Sequence, residues 1–217
     1  YLHHTVLQRS RVARVFFTLF GMFILAPVSI WKRSHDYHHE HNSKLYTASI
    51  GSFPLVTKQD FLKAKKSERA IYLFTRHPLT IFFGYFTMFV FGMCLQSLIK
   101  NPKRHRDSLY ALLFHAAIGA TVWFFFGWQG FLLGFFIPSF LSNAIGAYLF
   151  YAQHNFPSVV HKTKEDWDYV FAALNSSSFM KMCKLMHWFT GNIGYHHIHH
   201  VNPRIPFYNL PKAYKEV

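Results

Sequence analysis

Uncharged runs separated by short basic stretches dominate the pattern of this chain. From Leu109 to Gln153 there is no Asp, Glu, Lys or Arg in 45 residues, and Leu79 to Ile99 is a second such run. Apolar stretches of about 18 residues or more are long enough to cross a bilayer as helices. The longer run is divided by a neutral turn around Gly127 to Gly130, with Trp123 and Trp128 beside it, at the level where aromatic belts sit. It predicts a transmembrane hairpin of Leu109 to Gly127 and Gly130 to Tyr151. Leu79 to Ile99 follows Arg76 and precedes Lys100, Lys103, Arg104 and Arg106. Basic flanks at both ends place both on one side of the membrane, which predicts an inserted but non-crossing or bent helix. Val15 to Trp31 is shorter and lies between Arg9, Arg11 and Arg14 on one side and Lys32 and Arg33 on the other. It predicts a helix that lies in the interface or dips in and returns, with a kink at Pro27. Lys44 to Arg76 reads as a basic cytosolic connector, and from His154 onward the chain is polar. The fold class is therefore all-α and integral to a membrane: a transmembrane helical hairpin, interfacial helices and a cytosolic histidine-rich helical cap.

Composition agrees. Of 217 residues, 51% are hydrophobic and 20% aromatic against 15% charged, which argues against a soluble globular enzyme and excludes disorder. The 23 Lys and Arg against 9 Asp and Glu give a net charge of +14. Because these cations cluster just outside the apolar runs, they read as a belt facing lipid headgroups, not as a nucleic-acid footprint. Cys94 and Cys183 are far apart and form no CxxC pair, so neither a disulfide framework nor a thiolate zinc site is suggested.

The 16 histidines carry the chemistry. His35, His38 and His39 form an H-x-x-H-H unit, and His196, His199 and His200 form a second. Chance at this histidine frequency gives on the order of a tenth of one such match. Positions i, i+3 and i+4 share a helix face, so each unit can point three imidazoles at one place. Imidazole without thiolate suits iron, zinc or copper. The HExxH spacing of zinc hydrolases is absent, and nine acidic residues include no pair of Glu-x-x-His units as in carboxylate di-iron bundles. A histidine-rich di-iron centre remains. Asp36 and Glu40 are candidates to orient ligand imidazoles. His115, inside an uncharged helix, reads as a hydrogen-bonded core residue. His41 and His197 fall off the pattern, and His77, His105, His161 and His187 read as structural or surface residues.

At this point the chain resembles the membrane fatty acid desaturase family. WKRSHDYHHEHN (Trp31 to Asn42) is similar to its second histidine box, GYHHIHHVNPRIPFYNLP (Gly194 to Pro211) to its third box and tail, and FYAQHNF (Phe150 to Phe156) to the segment that supplies an extra ligand. The PRIPFYNL tail and the RHPL stretch from Arg76 tilt the likeness toward bacterial-type acyl-lipid desaturases of the omega-6/delta-12 kind. The resemblance implies that His35, His38, His39, His154, His196, His199 and His200 hold two non-haem iron ions. It further implies O2-dependent insertion of a cis double bond into an acyl lipid or acyl thioester, with electrons from a ferredoxin or cytochrome b5-type carrier. The active site would lie on the cytoplasmic face of the bilayer. A hydroxylase or ketolase of the same superfamily is the alternative, and a non-enzymatic haem- or metal-binding membrane protein the remote one. The family's first box, an H-D-x-x-H unit, stands roughly 30 to 40 residues before the second. His3 and His4 lack its spacing, so it is expected just upstream of Tyr1. On this reading residues 1–217 form a single domain lacking its N-terminal part: 1–78 with the interfacial helix and second box, 79–153 with the membrane helices, and 154–217 as the cap with the third box.

Overall fold

A computed structural model describes residues 3, 5–7, 9–47 and 53–217; His4 lies outside the described residues. Among the described residues every regular element is helical, and β-pairing is limited to two isolated bridges, Lys44 with Lys162 and Phe179 with Tyr195. In chain order the α-helices are α1 (Arg11–Phe23), α2 (Val28–Glu40), α3 (Lys58–Lys63), α4 (Lys66–Arg76), α5 (Pro78–Phe82), α6 (Gln96–Lys100), α7 (Arg106–Phe131), α8 (Ile137–Ala152), α9 (Tyr169–Asn175), α10 (Lys184–Phe189), α11 (His196–Val201) and α12 (Leu210–Tyr214). Wide π-type turns fill Tyr85–Leu95 and Leu132–Phe136. The chain forms two compact units. One comprises Ser10–His35 and Lys65–Leu149, and is called the apolar unit below; the other comprises Tyr1–Arg9, Asp36–Ala64 and Phe150–Val217 and, holding most of the histidines, is called the histidine unit.

In the apolar unit, the expected hairpin is present as a shape. Gly127 (φ 66°, ψ −175°) interrupts α7 in a conformation open only to glycine. Residues on either side of it then meet in antiparallel order: Trp123 lies 5.2 Å from Phe131, and His115 4.8 Å from Phe135, between ring centroids. Gly119 makes that approach close, since a Cβ there would stand 2.8 Å from the Phe135 ring. The segment Arg106–Ala152 is long and apolar enough to cross a membrane, and only 17% of its most apolar window is buried. The second run, from Leu79, is interrupted at Phe83 and Gly84 between α5 and the π-type turns.

The kink expected at Pro27 is a full break: α1 and α2 meet at 88°. Leu25, buried and with φ 59°, makes the corner, and Gly21 allows it, because a Cβ there would lie 2.8 Å from the Ala26 carbonyl oxygen. The carbonyls freed at the end of α1 need donors. His115 Nδ1–H donates to the Phe23 oxygen while its Nε2 accepts from the Tyr85 hydroxyl at 2.7 Å, and the Cys94 thiol donates to the Leu25 oxygen. His115 is thus the core residue that its setting implied. At the start of α2, Asp107 accepts from the Ser29 backbone N–H (3.3 Å) and from the Ser29 hydroxyl, placing a carboxylate at a helix N-terminus where the dipole favours it. The helix that carries the second box is therefore anchored at its first turn.

Within Lys44 to Arg76, α3 and α4 occupy the second half. Thr57 caps α3 by accepting from the Asp60 N–H at 3.1 Å, and the Glu68 carboxylate accepts from the Lys65 N–H at 2.9 Å. These local capping patterns start the two helices.

Candidate metal centre

In the histidine unit the boxes meet. The Nε2 atoms of His38 and His200 lie 3.1 Å apart, those of His200 and His196 3.1 Å, and those of His196 and His154 2.9 Å. These four side chains are buried, and their potential ligand atoms form one group. A second group comprises His3, His39 and His199, with ligand atoms within 4.8 Å of one another. The line between the two units falls inside α2, after His35, so the helix itself sets His35 one turn before His39. The His3 ring packs at 5.0 Å from both His39 and His199. The two groups adjoin, since the His39 and His200 rings are 4.3 Å apart.

Each box is shared between the groups, which corrects the expectation that one box aims three imidazoles at one place. Successive residues on an α-helix are 100° apart. Positions i+3 and i+4 therefore fall on opposite sides of position i and straddle two neighbouring sites. His39 goes to one group while His38 goes to the other; His196 and His200 go together while His199 crosses over. Six of the seven histidines implied as ligands, His38, His39, His154, His196, His199 and His200, are assembled in this unit, and His3 joins them. Sequence reasoning set His3 aside for lacking the H-D-x-x-H spacing. The usable signal was its distance from the second box, which falls in the interval where the resemblance places a ligand.

Residues 153–178 and the turn after α2 hold the cage. His154 Nδ1–H donates to the Ser176 carbonyl at 3.0 Å, which fixes its tautomer and turns the Nε2 lone pair inward. Buried Asn42 donates to the Ala172 oxygen (3.1 Å) and to Ser177 Oγ (2.8 Å), and Ser43 donates to the Ser176 oxygen. Trp167 Nε1–H donates to the Asn42 oxygen at 2.8 Å, and the Tyr169 hydroxyl donates to the His200 carbonyl at 2.6 Å. Asp168 caps α9 through the Phe171 N–H, and α9 packs on α11. Thus one short helix supports both the end of the second box and the whole of the third. Of the two candidate orienting carboxylates, Asp36 is half-buried and Glu40 exposed. His41 stacks on Tyr37, and His197 faces Phe179 and Tyr214, both away from the cage.

Electrostatics suit a cation. Burial pushes His154 down to about 4, against the raising effect of the Ser176 hydrogen bond. Burial, followed by repulsion from neighbouring imidazoles, holds His196, His199 and His200 well below the usual histidine range. Neutral imidazoles with converging nitrogens are what a metal requires. Nδ1 of His196 and Nδ1 of His200 are buried without a hydrogen-bond partner, while their Nε2 atoms face other imidazole nitrogens at 2.9 and 3.1 Å; convergent imidazole nitrogens without thiolate fit a metal of the imidazole-preferring class.

Gly194 sets the approach of α11. A Cβ there would lie 2.7 Å from the Met180 oxygen and 2.9 Å from the His187 ring, where Met180 N–H already donates to the Gly194 oxygen. We expect Gly194→Ala to cost about 1–3 kcal/mol through forced backbone displacement and to lower metal retention with it. Thermal unfolding and metal content of the same preparation check this; an unchanged melting midpoint counts against the close contact.

Comparison with known proteins gives the same picture as the geometry. The whole chain, residues 1–217, matches the family model described as fatty acid desaturase. A fatty acid desaturase of Bacillus subtilis (strain 168) is 35% identical over 98% of this chain and 61% of its own length. An sn-1 oleoyl-lipid 12-desaturase of Anabaena variabilis is 23% identical over 99% of the chain and 62% of its own length. An oleate hydroxylase of Claviceps purpurea is 30% identical over a shorter stretch, 41% of this chain and 18% of its own length. The chain spans about three fifths of the length of those two desaturases. With a match that runs from end to end, the chain belongs to the fatty acid desaturase family.

Proposed function

We propose that this chain forms the catalytic core of an oxygen-dependent di-iron desaturase that introduces a cis double bond into a membrane-associated acyl chain. The observation that carries the reading is the interleaving of two histidine boxes into two adjoining groups of imidazoles. His38, His154, His196 and His200 would hold one iron, and His3, His35, His39 and His199 the other. When bound, the irons would supply O2-dependent oxidation of unactivated methylenes, which no acid, base or nucleophile among the side chains can perform. Overall, two vicinal hydrogens of the acyl chain, two protons and two carrier electrons reduce O2 to two waters.

The chain's own residues prepare that chemistry. Burial of His154, His196, His199 and His200 keeps the imidazoles neutral and water out. The Ser176 carbonyl, through His154 Nδ1–H, holds that ring in register. The exposed phenylalanines of the hairpin, Phe124, Phe125 and Phe126, belong in lipid, where an acyl substrate resides. The basic flanks support a cytoplasmic face for both boxes, within reach of a ferredoxin or cytochrome b5-type donor. The acyl carrier is an acyl lipid or an acyl thioester.

The test uses the full chain in membranes. Iron analysis should give two irons per chain. His38→Ala and His154→Ala should each deplete one site and His199→Ala the other, and all three should abolish the loss of two hydrogens seen by mass spectrometry of cellular lipids. Normal iron and activity in all three variants would defeat the assignment. A second reading, hydroxylation, is favoured by the partial match to an oleate hydroxylase; it predicts products heavier by one oxygen.

A further inference from the structure

Helix α4 is turned inside out. By its 100° spacing, Ala70, Ile71, Leu73 and Phe74 lie on one side, and Arg69, Tyr72, Thr75 and Arg76 on the other. The apolar side is the outer one: Ile71 is 64% exposed, Phe74 63% and Leu73 58%. The polar side is half-buried, with the Arg76 guanidinium over the Tyr72 ring at 4.7 Å. A helix on a soluble protein shows the opposite arrangement. Leu79, Phe82 and Phe83 of the following turn are also exposed, so the uncovered apolar surface continues along the chain into the run that begins at Leu79. Lys65 and Lys66 stand exposed at the start of α4. The nearby carboxylate, Glu68, is committed to the Lys65 backbone N–H.

An apolar face with cations at its end fits an anionic lipid surface better than a protein groove, since it offers hydrophobic area and phosphate-seeking charge together. We infer that α4 is an interfacial anchor: Ile71, Leu73 and Phe74 enter the acyl region while Lys65 and Lys66 engage the phosphates of anionic headgroups. This rests on the membrane reading above and adds a preference for lipid charge.

Nitroxide labels test it on the full chain with Cys183→Ser, because Cys94 is buried. Labels are placed through Ile71→Cys, Phe74→Cys and Arg69→Cys, with Phe125→Cys on the hairpin as reference. Bilayers are phosphatidylcholine alone or mixed with phosphatidylglycerol. The expected ratio of oxygen to nickel-chelate collisions is several-fold higher at Ile71 and Phe74 than at Arg69. It rises further with phosphatidylglycerol, and Lys65→Gln with Lys66→Gln removes that rise. Aqueous labels at Ile71 and Phe74 beside a lipid-exposed Phe125 overturn the anchor. Labels shielded from both reagents overturn it in favour of a protein partner, and depth independent of headgroup charge overturns the anionic preference. An aqueous Phe125 overturns the membrane reading itself.

Discussion

Replacing His200 by leucine should make the metal-free chain more stable and the metal-loaded chain unable to form. His200 is 0% exposed, and its Nε2 faces those of His38 and His196 at 3.1 Å. A neutral imidazole has one N–H. If His200 Nε2 offers a lone pair, its Nδ1 carries a hydrogen with no acceptor; if Nε2 carries the hydrogen, Nδ1 is a buried lone pair with no donor. Either way the folded, metal-free chain bears an unsatisfied polar group, worth about 1–3 kcal/mol, that leucine relieves without opening a large cavity. The same change would remove a proposed ligand at the point where the two groups adjoin. Loss of metal affinity should exceed the roughly 10–100-fold typical of losing only a partner outside the ligand shell. Unfolding in detergent and iron content are the two measurements, with His197→Leu as the companion. His197 packs against Phe179 and Tyr214, so that variant should keep its iron. A His200→Leu chain that is both less stable without metal and still iron-loaded would count against the cage.

What could be read from the sequence followed the range over which each signal acts. The hairpin was legible because absence of charge over a long run, and glycines at its middle, are local facts; Gly127 is where the chain reverses. The two boxes were legible as chemistry from spacing alone. Their division between two sites was not, because it depends on how helices α2 and α11 face each other, and a single helix does not state its partner. His3 was hidden for a similar reason: it reaches His39 and His199 from a stretch without a recognisable unit around it. The corner at Leu25 carries no glycine or asparagine to announce a positive φ. It is held by Cys94, and the helix after it by Asp107, both far along the chain. In α4 the alternation of apolar and polar residues is written in the sequence, but the stretch around it reads as a basic connector. Only the burial of the polar face shows which side is turned outward.

Acid should unfold the metal-free chain steeply below about pH 6.5. Burial lowers His154 to about 4 in the folded state, and His196, His199 and His200 lie well below their ordinary value of 6.5. These groups are bases with depressed folded values, so between the two limits the unfolded chain binds more protons than the folded one. Stability therefore rises with pH across this window and is lost as pH falls from about 6.5 toward about 4, with no contribution from these groups above it. Each histidine contributes at most about 1.4 kcal/mol per pH unit, so four acting together approach about 5 kcal/mol per unit. Denaturant unfolding in detergent at a series of pH values reads the slope directly, and His200→Leu should reduce it by the share of one proton. Metal opposes the same protons, because ligation requires the neutral ring. The loaded chain should hold its stability to lower pH and then release iron and unfold together. A metal-free profile that stays flat across the window would mean that these rings are hydrated and not caged, and the account of a buried, neutral ligand set would fail with it.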